Sequence, residues 1–337
     1  MSRDDQTPMR RVRAPGRVNL IGDHTDYTGG LVLPFAIDRQ TTIEYRPAER
    51  IELRSADESE PVSFDHRQPP EPASVDSWGK YVAAVVGELG PERGLDGVVE
   101  TDIPIGSGLS SSAALEVAVA IALGFDGTPV ELAELCRRAE HAATGVRTGI
   151  MDQLCIAAAT EGHAALIDCH SLVITHVPLP PSSEVEFVVR FVAGRTLEGS
   201  EYDTRVAECA RAEELIGPLR LADLDAVATI DDPVIRSRAR HVVSENKRVR
   251  DYADALAAGD LAGAGAIMVD GHRSLRDDYA TSIPVMDAAV DELMATPGVL
   301  GARMTGGGFG GCVVAMSAPG TNLDGWPVVP VAGAGHE

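Results

Sequence analysis

Apolar positions along this 337-residue chain recur with two different periods, and the changes of period mark its elements. Residues 129–144 (PVELAELCRRAEHAAT) carry helical spacing behind a proline at the first turn. Similar stretches predict helices over 78–89, 202–215, 234–257, 260–270 and 283–295. Shorter apolar runs predict strands over 96–104, 163–169, 173–178 and 185–193. Residues 43–53 (IEYRPAERIEL) alternate as a hairpin would, and 58–77, rich in Pro, Ser, Glu and Asp, read as a surface loop. A strand, glycine loop and strand close the pattern over 299–316. Strands and helices mix without regular βαβ alternation, which predicts an α+β (mixed α/β) fold. The segment PLPPSSE at 178–184 is the natural break between an N-terminal domain (1–180) and a C-terminal domain (185–330).

Composition narrows the partners. Aromatics make up 4% of the chain, so its core must rest on Ala, Val, Leu and Ile. The 51 acidic against 29 basic residues give a net charge of −22, which opposes general binding to nucleic acid or to an anionic membrane. A local anion site remains open, because backbone amides bind phosphate without net positive charge. Five widely spaced cysteines with no C-x-x-C pair read as reduced cytosolic thiols and argue against a zinc site. The N-terminal segment MSRDDQTPMRRVRAPGR has no apolar leader core. The most apolar stretch, Ala113–Phe125, is too short to span a bilayer and is interrupted by Glu116. A soluble, cytoplasmic, monomeric protein is expected.

Three segments carry candidate chemistry. PIGSGLSSSAA (104–114) lies between a predicted strand and a helix running to about Leu123. Its glycines let the backbone curl around an oxyanion, and the helix start offers free N–H groups and the positive end of its dipole. Gly106, Ser107, Gly108, Leu109, Ser110, Ser111 and Ser112 form a candidate phosphate cradle for ATP, with a serine available to Mg²⁺. No G-K-[ST] follows, so this is not a Walker A loop, and Ser110 as a plain helix cap is the alternative. In APGRVNLIGDHTDY (14–27), a short strand is followed by Asp23, His24, Thr25, Asp26 and Tyr27. Such a run suits a polyhydroxylated ligand, whose hydroxyls both donate and accept; a polar turn is the alternative. GIMDQ (149–153) sets Asp152 in an apolar segment, where a carboxylate is functional, paired or a helix cap.

In this order the segments closely resemble the galactokinases of the GHMP kinase superfamily. The sugar motif stands here as GRVNLIGDHTDYTGG, the phosphate loop as PIGSGLSSSAALE and the catalytic segment as GIMDQ. A C-terminal glycine loop follows as MTGGGFGGC (304–312). DSWGKYV (76–82), EYDTRVAEC (201–209) and GHRSLRDDY (271–279) are lesser matches, so the resemblance runs from about residue 10 to 316. It implies a two-lobed GHMP kinase fold with ATP and sugar meeting in the interlobe cleft. It implies an ATP-dependent sugar 1-kinase that converts galactose to galactose 1-phosphate. By position, Asp152 matches the catalytic carboxylate and Arg17 the arginine that faces it. Ser112 and Glu140 match the Mg²⁺ site, and Asp23, His24, Thr25, Asp26, Gly149, Asp152 and Tyr202 the sugar site. Asp152 would act as a base toward the anomeric hydroxyl or as an electrostatic partner, and Arg17 would stabilise the transferring phosphoryl group.

Two departures from the family stand out. Glu is usual where this chain has Asp23, and the shorter side chain withdraws the carboxylate by about 1.5 Å. That points either to a larger sugar, such as one extended at C6, or to a repositioned loop. The tail after Ala318 matches poorly, so a missing or altered last strand is expected. Kinases for N-acetylgalactosamine, arabinose or an octose are near alternatives. A non-catalytic sugar sensor is another, opposed by the retained Ser110–Ala114, Arg17, Glu140 and Asp152. The loop at 306–311 opens a strand, not a helix, against a dinucleotide-binding fingerprint.

Overall fold

A computed structural model describes residues 8–194 and 201–337. The first seven residues, part of the segment read as lacking a leader core, lie outside the described residues. The N-terminal half runs β1 (Arg10–Asn19), β2 (Leu31–Val32), β3 (Pro34–Ala48), β4 (Ile51–Ser55), β5 (Val62–Phe64), α1 (Gly79–Leu89) and β6 (Gly94–Thr101). Helices α2 (Ser111–Ala122), α3 (Pro129–Thr144) and α4 (Met151–Ala158) follow, then the hairpin of β7 (His163–Asp168) and β8 (Val173–Pro178). The second half runs β9 (Glu186–Ala193), α5 (Tyr202–Ile216), α6 (Leu224–Ala228), α7 (Pro233–Ala257), α8 (Leu261–Ser274) and α9 (Pro284–Met294). It ends in β10 (Val299–Met304), β11 (Gly311–Ser317), β12 (Trp326–Val328) and β13 (Gly335–His336).

Local chemistry sets many of these limits. At the start of α3, the Thr128 side chain accepts from the Glu131 N–H while the Glu131 carboxylate accepts from the Thr128 N–H, a reciprocal cap. Asp232 caps α7 by accepting from the N–H groups of Val234 and Ile235. Ala113 to Ala122 of α2 are all buried, as a helix with no polar face requires.

The strands form three sheets, ordered β13-β1-β3-β6-β4-β5, β10-β11-β9-β12 and β2-β7-β8. Phe35 of β3 and Phe187 of β9 meet at 5.3 Å between ring centres, joining the first two sheets through one aliphatic core. No described helix is long and apolar enough to cross a membrane.

Three expectations need correction. Residues 43–53 contribute to β3 and β4, but these strands do not pair as a hairpin. β6 lies between them, antiparallel to β3 and parallel to β4, so that Tyr45, Gly97 and Leu53 align in one row. Alternation reveals which face a strand buries, not which neighbour it takes. The predicted surface loop holds an edge strand, β5, paired with β4 and burying Val62. Finally, the tail carries two short strands. β12 pairs with β9, and β13 returns to pair with β1 at Val12 and Arg13.

Candidate active site

The site begins where β1 meets the 104–110 loop. A Cβ on Gly16 would stand 2.8 Å from the Leu109 carbonyl oxygen, so only glycine lets the loop come this close. The Arg17 N–H then donates to that same oxygen at 3.1 Å. The Arg17 side chain reaches along the loop, and its Nη1 donates to the Gly108 carbonyl at 2.7 Å.

The rest of the guanidinium grips Asp152. Nε donates to Oδ1 and Nη2 to Oδ2, both at 2.7 Å, in the two-pronged geometry that arginine and carboxylate share. Burial opposes the charge of Arg17, but the charge and hydrogen bonds of Asp152, together with the charge of Asp23, hold the guanidinium above its ordinary pKa. Asp152 sits in the first turn of α4 behind the cap residue Ile150, so it does not cap that helix. Ser110 is not a side-chain cap either. It precedes α2 with φ +66°, makes no capping bond, and donates its hydroxyl to Asp152 Oδ2 at 2.6 Å. Residues 106, 108 and 110 all adopt left-handed backbone, the kind of alternation that builds an anion-binding nest.

Two cavities meet at Asp152. The larger, about 440 Å³, is lined by Gly106, Gly108 and Ser110 to Ser112, with Trp78 and Tyr81 from the start of α1. Ser107 and Leu109 are buried behind the loop and do not line it. The smaller, about 50 Å³, is lined by Arg17, Asp23, His24, Asp26, Gly149 and Tyr202. Glu140, Thr148 and Asp152 line both.

At this junction Ser112 Oγ donates to Glu140 Oε1 at 3.1 Å, while Thr148 and Gln153 donate to Oε2 at 2.8 and 2.9 Å. Burial raises the pKa of Glu140, and the charge of Asp152 raises it further. Two hard oxygen donors side by side, one a carboxylate in no ion pair among the described residues, fit Mg²⁺, which favours a few protein oxygens together with phosphate and water.

In the smaller cavity, burial and then the charge of Asp152 push Asp26 up to about 7. His24 Nδ1 lies 3.0 Å from the Tyr27 hydroxyl, which hydrogen-bonds Tyr279. Asp23 lines the cavity with both carboxylate oxygens engaged by protein, Oδ2 with Arg303 and Oδ1 with the Gly306 N–H. Thr25, expected at the sugar, does not line this cavity. Its hydroxyl lies 2.7 and 2.6 Å from the Gly22 and Leu31 carbonyl oxygens and holds the loop shut.

The structure adds groups that sequence reasoning passed over. Thr148 and Gln153 hold Glu140, and Gln153 stood unremarked inside GIMDQ. Trp78 and Tyr81 belong to DSWGKYV, noted only as a matching segment. Arg303 precedes the C-terminal glycine loop, and no local signal marks its partnership with Asp23.

Residues 3–47 match the galactose-binding signature of galactokinases, residues 79–160 the N-terminal domain of GHMP kinases and residues 252–324 their C-terminal domain. The chain is 43% identical to the galactokinase of Chloroflexus aurantiacus, over 92% of this chain and 84% of that one. It is 40% identical to the galactokinase of Homo sapiens, over the same shares. The crystal structure of Lactococcus lactis galactokinase complexed with galactose matches with a TM-score of 0.89 at 30% identity, covering 98% of this chain and 95% of that one. Methanococcus jannaschii mevalonate kinase shares the fold, with a TM-score of 0.71 at 20% identity over 97% of this chain and 99% of that one. The chain belongs to the galactokinases of the GHMP kinase superfamily.

Proposed function

We propose that this chain transfers the γ-phosphoryl group of ATP to the anomeric hydroxyl of galactose, with Asp152 and Arg17 as the reacting-centre residues. The observation that carries the assignment of residues is that Asp152 stands where the nucleotide-sized cleft and the small polar cavity meet. The lobes on this reading are residues 1–180 and 185–330, and Gly306 and Gly307 of the second reach the wall of the sugar cavity.

ATP lies in the larger cleft with its phosphates on Gly106, Gly108 and Ser110 to Ser112 at the start of α2. Galactose lies against His24, Asp26, Gly149 and Tyr202, which presents its anomeric hydroxyl to Asp152. The hydroxyl oxygen forms a bond to the γ-phosphorus as the bond to the β–γ bridging oxygen breaks, and its proton passes to Asp152. Arg17 and Ser110 aim the carboxylate by holding both its oxygens. Arg17, already bonded to the loop at Gly108, also faces the charge that develops on the transferring group. Mg²⁺ held by Ser112 and Glu140 would neutralise the phosphate oxygens.

ADP release across a panel of sugars tests the reading. Galactose should give the highest kcat/KM, and Asp152→Asn should lower kcat by about 10²–10⁴-fold. An octose or N-acetylgalactosamine used better than galactose would displace the substrate. Asp152→Asn with near-parental turnover would remove Asp152 from the reaction.

A further inference from the structure

The phosphoryl transfer gives no role to Glu116, in the middle of α2. It is the single ionisable residue of that helix, and its side chain is fully buried. Its Oε2 accepts from Gln153 Nε2 at 3.3 Å, and the same amide nitrogen donates to Glu140 Oε2 at 2.9 Å. Thr148 also donates to Glu140 Oε2. That oxygen therefore has two donors, while Oε1 has Ser112. An amide with its N–H groups shared between two carboxyls is fixed in orientation, because turning it over would set its carbonyl against both. Burial pushes the Glu116 carboxyl well above the ordinary range, and the charge of Glu140 adds to the shift. Glu116 Oε1 and Gln153 Oε1 are both buried without a hydrogen-bond partner.

We propose that Gln153 and Glu116 are positioning residues for the metal ligand Glu140. Glu116 fixes the Gln153 amide, the amide occupies Oε2 of Glu140, and Oε1 is left beside Ser112 as the atom that takes Mg²⁺. The inference rests on the kinase reading above.

The test is Mn²⁺ binding to the full chain with a non-hydrolysable β,γ-imido ATP analogue, read by electron paramagnetic resonance without sugar. Gln153→Met keeps the volume and removes the amide. It should weaken Mn²⁺ binding by about 10–100-fold, as loss of a group behind a metal ligand does, and leave galactose affinity unchanged. Glu116→Leu should lose as much, and Glu116→Gln, a neutral group that still donates and accepts, should recover most of it. Circular dichroism establishes that each variant is folded, and the Glu116 pair decides alone should Gln153→Met not fold. Parental Mn²⁺ affinity in Gln153→Met and Glu116→Leu would overturn the inference and leave the kinase reading standing, as would Glu116→Gln binding as weakly as Glu116→Leu. A parent chain that binds the analogue without taking up Mn²⁺ would overturn both.

Discussion

Asp23 Oδ2 lies 2.6 Å from Arg303 Nη2, in an ion pair with no solvent exposure on either side chain. The pair ties the sugar-motif loop to β10, and the Gly306 N–H adds a bond to Oδ1 at 2.7 Å. Arg303 also meets Glu245 at 2.9 Å, and Glu245 accepts from the Gly22 N–H, so loop, helix and strand share one sealed network. Asp therefore fits at this position because the space beyond its carboxylate is filled by Arg303. Asp23→Glu inserts a methylene into that space and should cost about 1–3 kcal/mol, seen as a lower thermal midpoint. A variant as stable as the parent would shift the explanation of Asp23 from the loop to the substrate.

Gly149 faces Asp26 at closer range than any side chain allows. A Cβ there would stand 2.0 Å from Asp26 Oδ2 and 2.1 Å from its Cγ, so the Asp26 side chain would have to move. Gly149→Ala should displace Asp26 and raise the KM for galactose by tenfold or more, about 1.4 kcal/mol of lost binding, with the KM for ATP unchanged. Equal damage to both constants would mean that the substitution disturbs the whole cleft.

Ser110 holds a left-handed backbone, which costs a residue with a Cβ about 1–2 kcal/mol, to place its hydroxyl on Asp152. Ser110→Gly should relieve the strain and Ser110→Ala should keep it. The glycine variant should be the more stable of the two by about 1 kcal/mol, while both lose turnover to a similar degree. A glycine variant with full turnover would show that the hydroxyl does nothing for Asp152.

What was legible in the sequence follows from how local each feature is. The phosphate loop and GIMDQ could be read because their chemistry lies within a few consecutive residues. The extent of α3 could be read because its helical spacing runs unbroken behind Pro129 in the first turn. The β6 insertion between β3 and β4 could not, since alternation is identical for either partner. Nor could the duty of Asp23, whose partner Arg303 lies 280 residues away, or that of Glu116, which looked only like an interruption in an apolar run. Thr25 misled for the opposite reason. It sits in a run of polar residues that suits a sugar, but the turn itself uses its hydroxyl.

Asp26 ties the stability of the free protein to pH. Its ordinary value is 3.8, and in the fold burial, then the charge of Asp152, push it up to about 7. The folded chain thus holds this proton more tightly than the unfolded one. The stabilisation is fully present below about pH 4 and is lost as pH rises through about 7. A shift of that size is worth at most about 4 kcal/mol. Asp26→Asn keeps the neutral shape and removes the titration, so it should match the parent in thermal midpoint near pH 4 and exceed it at pH 8. Galactose binding should move in the other direction, because an ionised Asp26 accepts a sugar hydroxyl more strongly than the acid does. The kcat/KM for galactose should rise through about pH 7 in the parent and lose that rise in Asp26→Asn. A variant less stable than the parent at pH 8 would mean that Asp26 is ionised and supported in the free fold, contrary to its burial beside Asp152.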